Sequence, residues 1–230
     1  MDSIKDRLEK VKHRIKRAAE GCRRDPETVR LVAVSKTVPV RKVQEAIQAG
    51  VTILGENYVQ EARDKINALM SFQVSWHFIG HLQSNKARYA VRLFDLIHSV
   101  DSLKLARELN KQAQKNAKIQ QILIQVNISQ EETKSGISVD DAVNLVSEIS
   151  QLENLSIRGL MTMPPYFNQP EKVQPFFASL RKLRDQIESK AIPNVSMDQL
   201  SMGMTGDFEV AIKEGATMVR VGTAIFGERT

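Results

Sequence analysis

The chain has a single cysteine, Cys22, among its 230 residues. One cysteine cannot form a disulfide within the chain, and it leaves no Cys-x-x-Cys pair or multi-cysteine cluster for a structural zinc. Long apolar runs are absent as well. No stretch of about 18 apolar residues could span a bilayer, and the opening MDSIKDRLEK lacks the apolar core of a secretory signal. These absences exclude a disulfide scaffold and predict a cytoplasmic protein.

Positive charge is in modest excess, with 33 Lys and Arg against 27 Asp and Glu and a net charge of +6. Much of the excess lies in the first 24 residues, so a basic nucleic-acid binder is one hypothesis. However, Ile4, Leu8, Val11, Ile15 and Ala18 recur there at helical spacing, which favours the solvated face of an amphipathic helix. No aromatic-rich basic motif supports nucleic-acid binding.

After that helix, apolar runs of strand length alternate with helical patterns. The runs are LVAVSK, TILGEN, SWHFIGH, LIHSV, QILIQVNIS, LSIRGLMTM, MDQLSMG and TMVRVGTAIFG. Eight β/α units predict an α/β fold of the (β/α)8 TIM barrel type, formed as a single domain over residues 1–230. The last strand has no clear helix after it, so we expect the N-terminal helix to complete the outer ring. An open doubly wound sheet is the alternative, which the lack of a Gly-x-Gly-x-x-Gly turn disfavours.

One lysine stands at the end of the first strand-like run, LVAVSKTVPV. Side chains alternate along a strand, so Val32, Val34 and Lys36 share one face. If that face points into the barrel, Lys36 lies at the C-terminal mouth, where barrel enzymes place their chemistry. Desolvation there would favour the neutral amine, which is a nucleophile toward an aldehyde. A lysine that ends the strand and extends to water fits the position equally well.

Two loops near the end of the chain have the composition of an anion site. In LSMGMTGDFEVAIKEG, a strand ends at Ser201, Met202 and Gly203, and Thr205 then precedes a helical pattern. Such a turn exposes backbone N–H groups, and with the Ser201 hydroxyl it can hold an anion.

The last strand adds a second such loop. In MVRVGTAIFG, Gly222 allows close backbone approach and Thr223 adds a hydroxyl donor. Loops after the seventh and eighth barrel strands commonly bind phosphate. Each loop alone is weak, because a glycine near a strand end is usually only a turn. Together with Lys36 they describe an amine facing a phosphate site, and pyridoxal 5′-phosphate is the cofactor that needs both.

Five stretches resemble the pyridoxal phosphate homeostasis proteins, the YggS/PROSC family: LVAVSKTVPV, LGENYVQEA, WHFIGHLQSNK, LSMGMTGDFEVAI and VRVGTAIFGER. The resemblance runs across essentially the whole chain. It implies a barrel related to the N-terminal domain of alanine racemase, with the cofactor on Lys36 as an internal aldimine. It also implies a role in vitamin B6 and amino-acid balance without established turnover. Many relatives have a second lysine where this chain has Val38, so an alternative anchor is missing.

Further site residues follow from these motifs and from strand alternation. Asn57 in GEN shares a face with Ile53 and could hydrogen-bond the pyridine substituents, although it could equally cap the next helix. His77 in WHFIGH is expected near the ring, and a metal at His77 and His81 is disfavoured because no other ligand is near in sequence. Met161 and Met163 are expected at the ring pocket, with core filling as the alternative.

Arg220 has the same strand parity as Met218 and Gly222, so we expect it to face the cofactor. The resemblance places it beside the pyridine nitrogen. A fixed cation there disfavours protonation of that nitrogen and weakens the ring as an electron sink. The alternative is an arginine paired across the barrel with a structural carboxylate.

The sequence is compatible with three classes of function, of which the basic nucleic-acid binder is disfavoured by the lack of an aromatic-rich basic motif. A carrier or regulator would present the bound cofactor to recipient apoenzymes that depend on it, and we expect such a protein to be a monomer that binds neither nucleic acid nor membrane. A racemase or decarboxylase would need a second acid/base group, for which Tyr166 in the MPPY loop is the candidate. Lys134 is expected in the loop after strand five as a solvated lysine, with assistance in cofactor entry or release as the alternative. No metal site is expected.

Overall fold

The computed structural model describes residues 2–129, 131, 135–165 and 167–228, and these form a closed parallel barrel of eight strands in sequential order. The strands are β1 (Arg30–Val34), β2 (Ile53–Glu56), β3 (Ser75–Phe78), β4 (Leu96–Val100), β5 (Gln120–Gln125), β6 (Leu155–Met161), β7 (Val195–Ser201) and β8 (Met218–Val221). The ring closes where β1 pairs with β8, with Val32 opposite Arg220. The predicted (β/α)8 barrel is therefore confirmed.

Helices surround this barrel. They are α1 (Ile4–Gly21), α2 (Val40–Gln48), α3 (Val59–Ala68), α4 (Ala87–Leu93), α5 (Leu103–Lys115), α6 (Val139–Ile149), α7 (Gln174–Ser189), α8 (Phe208–Lys213) and α9 (Thr223–Phe226). Helix α1 contacts α2, α8 and α9, so it fills the place in the outer ring that follows β8. Arg14 fixes it there, because its guanidinium pairs with Glu209 at 2.7 Å and lies over the Phe208 ring.

Local sequence explains where several helices begin. Ser3 caps α1 and forms a capping box with Asp6, in which each side chain accepts from the other residue's backbone N–H. Ser102 and Ser138 cap α5 and α6 by accepting from backbone N–H groups in the first turn. None of the described helices combines the length and the apolar composition that a membrane span requires.

The core has two parts, which strand alternation separates. One lies between the barrel wall and the helices, and the other fills the barrel interior. The interior cluster consists of Val32, Ile53, Leu96, Leu123, Met161 and Met218. Farther along the same strand faces lie Arg220, two residues after Met218, and then Lys36 and Asn57, four residues after Val32 and Ile53. These three residues were predicted at the C-terminal mouth.

Most strands end earlier than the apolar runs suggest. The first ends at Val34 rather than Lys36, and the last ends at Val221. The expectation that no helix follows β8 was wrong, because Gly222 opens the short helix α9. The residues beyond each strand form loops around the mouth, so they gain conformational freedom that strand residues lack.

Candidate cofactor site at the barrel mouth

A cavity of about 450 Å³ opens at the C-terminal end of the barrel, a volume in the range of ordinary ligand sites. It is lined by Val34, Lys36, Asn57, Ile79, Met163, Phe167, Asn168, Pro170, Met204, Thr205, Gly206, Asp207, Arg220, Gly222 and Thr223. Five of the residues predicted for the site, Lys36, Asn57, Arg220, Gly222 and Thr223, are thus brought together by loops from opposite ends of the chain.

Lys36 lies on a turn just past β1 and is half-buried at the cavity wall. The backbone of Thr37, the next residue, has φ of 63°, in the left-handed region that side chains other than glycine rarely adopt. Val32 points into the interior cluster and Val34 lines the cavity. The alternation predicted for this face therefore continues past the end of the strand.

Asn57 contributes an unsatisfied polar atom to the cavity wall. Its Oδ1 is buried and has no hydrogen-bond partner among the described residues. The Asn57 backbone lies against Gly80, where an added Cβ would stand 2.4 Å from the Asn57 carbonyl oxygen. Gly80 is thus required for this close approach. Buried polar atoms in proteins are nearly always paired, so a ligand donor at this wall would complete Asn57.

The loops after β7 and β8 meet across the cavity. Thr223 Oγ1 donates to Thr205 Oγ1 at 3.3 Å, which joins the two loops. The backbone N–H groups of Thr205 and Gly206 have no acceptor among the described residues. Hydroxyls and free N–H groups that converge in this way suit a phosphate.

Gly203 shapes the turn between β7 and the loop that carries Thr205 and Gly206. Its φ is +90°, and an added Cβ would lie 2.6 Å from the Ala211 Cβ. Its carbonyl accepts from the Arg220 N–H at 3.0 Å, so the turn is tied to β8. Met202 beside it is fully buried in the outer core. These two residues form the support of the loop rather than the cavity wall.

The charges at the mouth are of both signs. Burial is the main cause that lowers the pKa of Arg220 to about 10, which leaves it protonated at neutral pH. Burial also raises the pKa of Asp207, whose carboxylate accepts from the Met204 N–H at 2.6 Å. Arg220 thus provides a fixed positive charge, and Asp207 braces the loop.

Arg220 is held from inside the barrel. Its Nη1 donates to Ser201 Oγ at 2.6 Å and its Nη2 donates to the Thr162 carbonyl at 2.8 Å. Ser201 Oγ also bonds His98 Nδ1 at 2.9 Å, and His98 Nε2 bonds His77 Nδ1 at 3.0 Å. These contacts are mutually compatible if the Ser201 hydroxyl donates to His98 Nδ1 and the His98 Nε2–H donates to His77 Nδ1. A hydrogen-bonded chain therefore runs through the barrel interior to the mouth.

The two histidines in this chain are neutral at physiological pH. Burial lowers the pKa of His77 to about 4. The His98 side chain is completely buried, and burial together with the neighbouring His77 places its pKa well below the ordinary value. A neutral ring can donate one hydrogen bond and accept another. His98, which bonds both Ser201 and His77, requires this.

Several predicted residues do not line the cavity. Ser201 faces inward and bonds Arg220 and His98, so its hydroxyl lies apart from the loops that carry Thr205 and Thr223. His77 borders a smaller cavity of about 190 Å³ at the opposite end of the barrel, and Met161 belongs to the interior cluster. The cause is the same for all three: each side chain points inward below the mouth. Met163, two residues after Met161, lines the cavity instead.

Other residues were missed by sequence reasoning. Phe167 and Asn168 line the cavity from the loop after β6, which has no regular pattern. His98 could have been found, because it shares strand parity with the interior residue Leu96. Lys134 and Tyr166 lie outside the described residues. Within the part of the chain that the structure describes, no three His, Cys, Asp or Glu side chains cluster as metal ligands would.

Comparison with known proteins identifies the family of the chain. A family model for the N-terminal domain of alanine racemase matches residues 7–230. A pyridoxal phosphate homeostasis protein of Aquifex aeolicus is 46% identical over 224 residues, which cover 97% of each chain. The chain belongs to the pyridoxal phosphate homeostasis protein family. The Escherichia coli K12 member of the family is 42% identical over 236 residues, with 100% of this chain and 98% of the relative covered.

Two solved structures are similar to this chain. PipY of Synechococcus elongatus, solved with PLP bound, superposes with a TM-score of 0.86 at 36% identity, covering 98% of this chain and 100% of that one. An alanine racemase of Clostridium difficile has a TM-score of 0.78 at 15% identity, and this chain covers 57% of its length. The second likeness shows a shared fold alone, whereas the first is to a relative at 36% identity.

Proposed function

We propose that this chain binds pyridoxal 5′-phosphate at the barrel mouth and acts as a carrier or regulator in vitamin B6 and amino-acid homeostasis, without catalytic turnover. The observation that carries the proposal is that Lys36 and the loops with Thr205 and Thr223 line one cavity of about 450 Å³. The PLP-bound PipY relative supports the choice of ligand.

The residues present fit this cofactor. Lys36 Nζ would attack the aldehyde carbon, with loss of water and formation of a carbon–nitrogen double bond, the internal aldimine. Thr205, Gly206 and Thr223 would donate to the phosphate. The buried, unpaired Asn57 Oδ1 would gain a partner at the ring. When bound, the cofactor supplies an electron-withdrawing ring conjugated to that bond.

Arg220 would face the pyridine ring, and its position favours storage over catalysis. The guanidinium is fixed by Ser201 and the Thr162 carbonyl and is protonated at neutral pH. A cation that cannot move away opposes protonation of the ring nitrogen, which lowers the capacity of the ring to stabilise a carbanion. This argument supports a carrier over a racemase or decarboxylase.

The wider role follows from storage without turnover. We propose that the chain works in the cytoplasm as a monomer, with residues 1–230 acting as one domain. It would release the cofactor to apoenzymes that depend on it. For a racemase, Tyr166 would be the first of the three tyrosines to examine as a second proton-transfer group, because its MPPY segment follows β6 in the sequence.

The direct test is covalent trapping. The chain is incubated with pyridoxal 5′-phosphate, reduced with borohydride and mapped by peptide mass spectrometry. We expect the pyridoxyl group on Lys36, and we expect Lys36→Ala to remain unlabelled at the same concentration. Labelling at Lys134, or equal labelling of the wild type and Lys36→Ala, would overturn the assignment.

Absence of turnover needs its own measurement. The loaded protein is incubated with D- and L-amino acids in deuterated water, and exchange of the α-proton is followed. We expect no exchange with inversion above roughly one turnover per second, a rate at the low end for enzymes. A faster rate would favour the racemase hypothesis and would make Tyr166→Phe the next variant.

A further inference from the structure

A buried ionic cluster lies outside the barrel wall, directly behind the turn that carries Lys36. Lys65 of α3 is only 3% exposed, and its Nζ lies 2.7 Å from Glu56 Oε1 and 2.6 Å from Glu61 Oε1. Glu56 is completely buried at the end of β2. A lysine on the buried face of a helix is rare without such partners. The residues Ser35, Glu56, Glu61 and Lys65 are called the turn clamp below.

The clamp holds the backbone on both sides of Lys36. On one side, Lys65 Nζ donates to the Ser35 carbonyl at 2.5 Å. On the other side, the Thr37 N–H donates to Glu61 Oε1 at 2.6 Å. The Ser35 hydroxyl adds a bond of 2.6 Å to Glu56. The peptide groups that flank Lys36 are therefore each held by a charged side chain of the same cluster.

This turn needs such support. β1 ends at Val34, so no strand pairing reaches Lys36. Thr37 adopts φ of 63°, a conformation that persists in a residue other than glycine only when its surroundings enforce it. Hydrogen bonds to charged groups are stronger than neutral ones, and the bonds that Glu56 and Lys65 form with Ser35 are also buried. Burial also raises the pKa of Glu56, in keeping with its dry surroundings.

We propose that Glu61, with Lys65, is a positioning residue that fixes the Lys36 turn and so aims the amine at the cofactor aldehyde. This inference rests on the proposed function, since it assigns Lys36 the reacting amine. Glu61 touches neither the cofactor site nor Lys36 itself. It acts through the Thr37 backbone and through Lys65, which it orients together with Glu56.

Glu61 is the more suitable residue of the turn clamp to substitute. Replacing Lys65 would leave Glu56 buried without a counter-charge, which destabilises a fold strongly. Glu61 is partly exposed, with 26% of its side chain accessible, so its removal is tolerated more easily. The matched control is Glu45 of α2, which pairs with Arg41 one helical turn earlier, is exposed, and does not belong to the turn clamp.

The experiment compares the wild type, Glu61→Ala, Glu61→Gln and Glu45→Ala. Two quantities are measured on each: the rate of covalent bond formation with pyridoxal 5′-phosphate, and the affinity for inorganic phosphate. We expect Glu61→Ala to slow bond formation by about tenfold, equivalent to about 1.4 kcal/mol, with phosphate affinity unchanged. Glu61→Gln keeps an acceptor for the Thr37 N–H and should recover part of the rate, and Glu45→Ala should match the wild type.

The outcomes separate the two proposals. Bond formation at the wild-type rate in Glu61→Ala would overturn the positioning role. A parallel loss of bond formation, phosphate affinity and thermal stability would also overturn it, because it would indicate general unfolding. If the wild type and Lys36→Ala form the bond equally well, the proposed function fails instead, whatever Glu61→Ala does.

Discussion

Arg220 Nη1 donates to Ser201 Oγ at 2.6 Å in the fully buried interior of the barrel. The same hydroxyl bonds His98 Nδ1 at 2.9 Å, so Ser201 stands between the arginine at the mouth and two histidines beneath it. The serine therefore supports Arg220 from the barrel interior, whereas Thr205 and Thr223 line the cavity.

Replacing Ser201 with alanine should lower the free energy of unfolding by about 1–3 kcal/mol, because an N–H of Arg220 and a ring nitrogen of His98 lose their partner in the buried interior. Denaturant titration of the cofactor-free chain measures this change. Ser179→Ala, which removes an exposed hydroxyl from α7, is the control and should be nearly neutral. Equal stability of Ser201→Ala and wild type would contradict the interior network.

The double variant Thr205→Val with Thr223→Val should bind pyridoxal 5′-phosphate more weakly. Each hydroxyl is a donor to a charged acceptor, an interaction worth about 1.5–3 kcal/mol, so the loss is roughly tenfold or more per residue. Equilibrium dialysis measures it. Pyridoxal without phosphate is the companion ligand, and its affinity should not change. Thr52→Val, at the opposite end of the barrel, controls for the substitution itself.

Stability should fall as the pH drops from about 7 toward 4. The pKa of His77 is lowered to about 4 and that of His98 well below the ordinary value, so the unfolded chain binds protons in this window that the folded chain does not. Folding stability then rises with pH, by about 1.4 kcal/mol per pH unit for each histidine. Denaturant titrations at several pH values measure this slope.

His77→Gln isolates this effect from that of the carboxyl groups. It should reduce the slope between pH 6 and 4.5 by about 1.4 kcal/mol per pH unit, since one proton-binding group is lost from the unfolded chain. Asp207 and Glu56, whose pKa values are raised by burial, contribute equally to both proteins. His13→Gln, on the exposed face of α1, leaves both buried rings in place. An unchanged slope in His77→Gln would contradict a buried, neutral His77.

Gly80→Ala should displace Asn57 from the cavity wall. The new methyl group would lie 2.4 Å from the Asn57 carbonyl oxygen and 2.7 Å from its Cα, and backbone atoms cannot yield as a flexible side chain would. We expect cofactor affinity to fall by about tenfold or more, measured by equilibrium dialysis. Gly21→Ala, where an added Cβ meets nothing within 4 Å, should bind as tightly as the wild type.

Strand alternation was the most informative pattern for predicting which residues face the barrel interior or the mouth. The parity of Val32 and Lys36 placed one in the barrel interior and the other at the mouth, and the structure has both there. The same rule placed Arg220 correctly. Alternation works because a closed barrel has only an inner and an outer face, so each strand residue has two choices.

The ends of the strands were predicted less closely. Ser201 is the last residue of β7 and still points inward, whereas the sequence assigned its hydroxyl to the loop. A difference of two or three residues decides between the interior and the mouth, and apolar patterns do not fix strand ends that closely. Lys65 gave a usable signal, because it shares the buried helix face of Val59 and Ala62, where a charge requires a partner.

The pairing of α1 with α8 bears on how this chain folds during synthesis. Arg14 and Glu209 are separated by 195 residues, and β1 finds its second neighbour only when β8 has been made. Contacts so distant in sequence form late and slow folding. A nascent chain arrested before Met218 should therefore expose unpaired edges at β1 and β7, the kind of surface that recruits chaperones or aggregates.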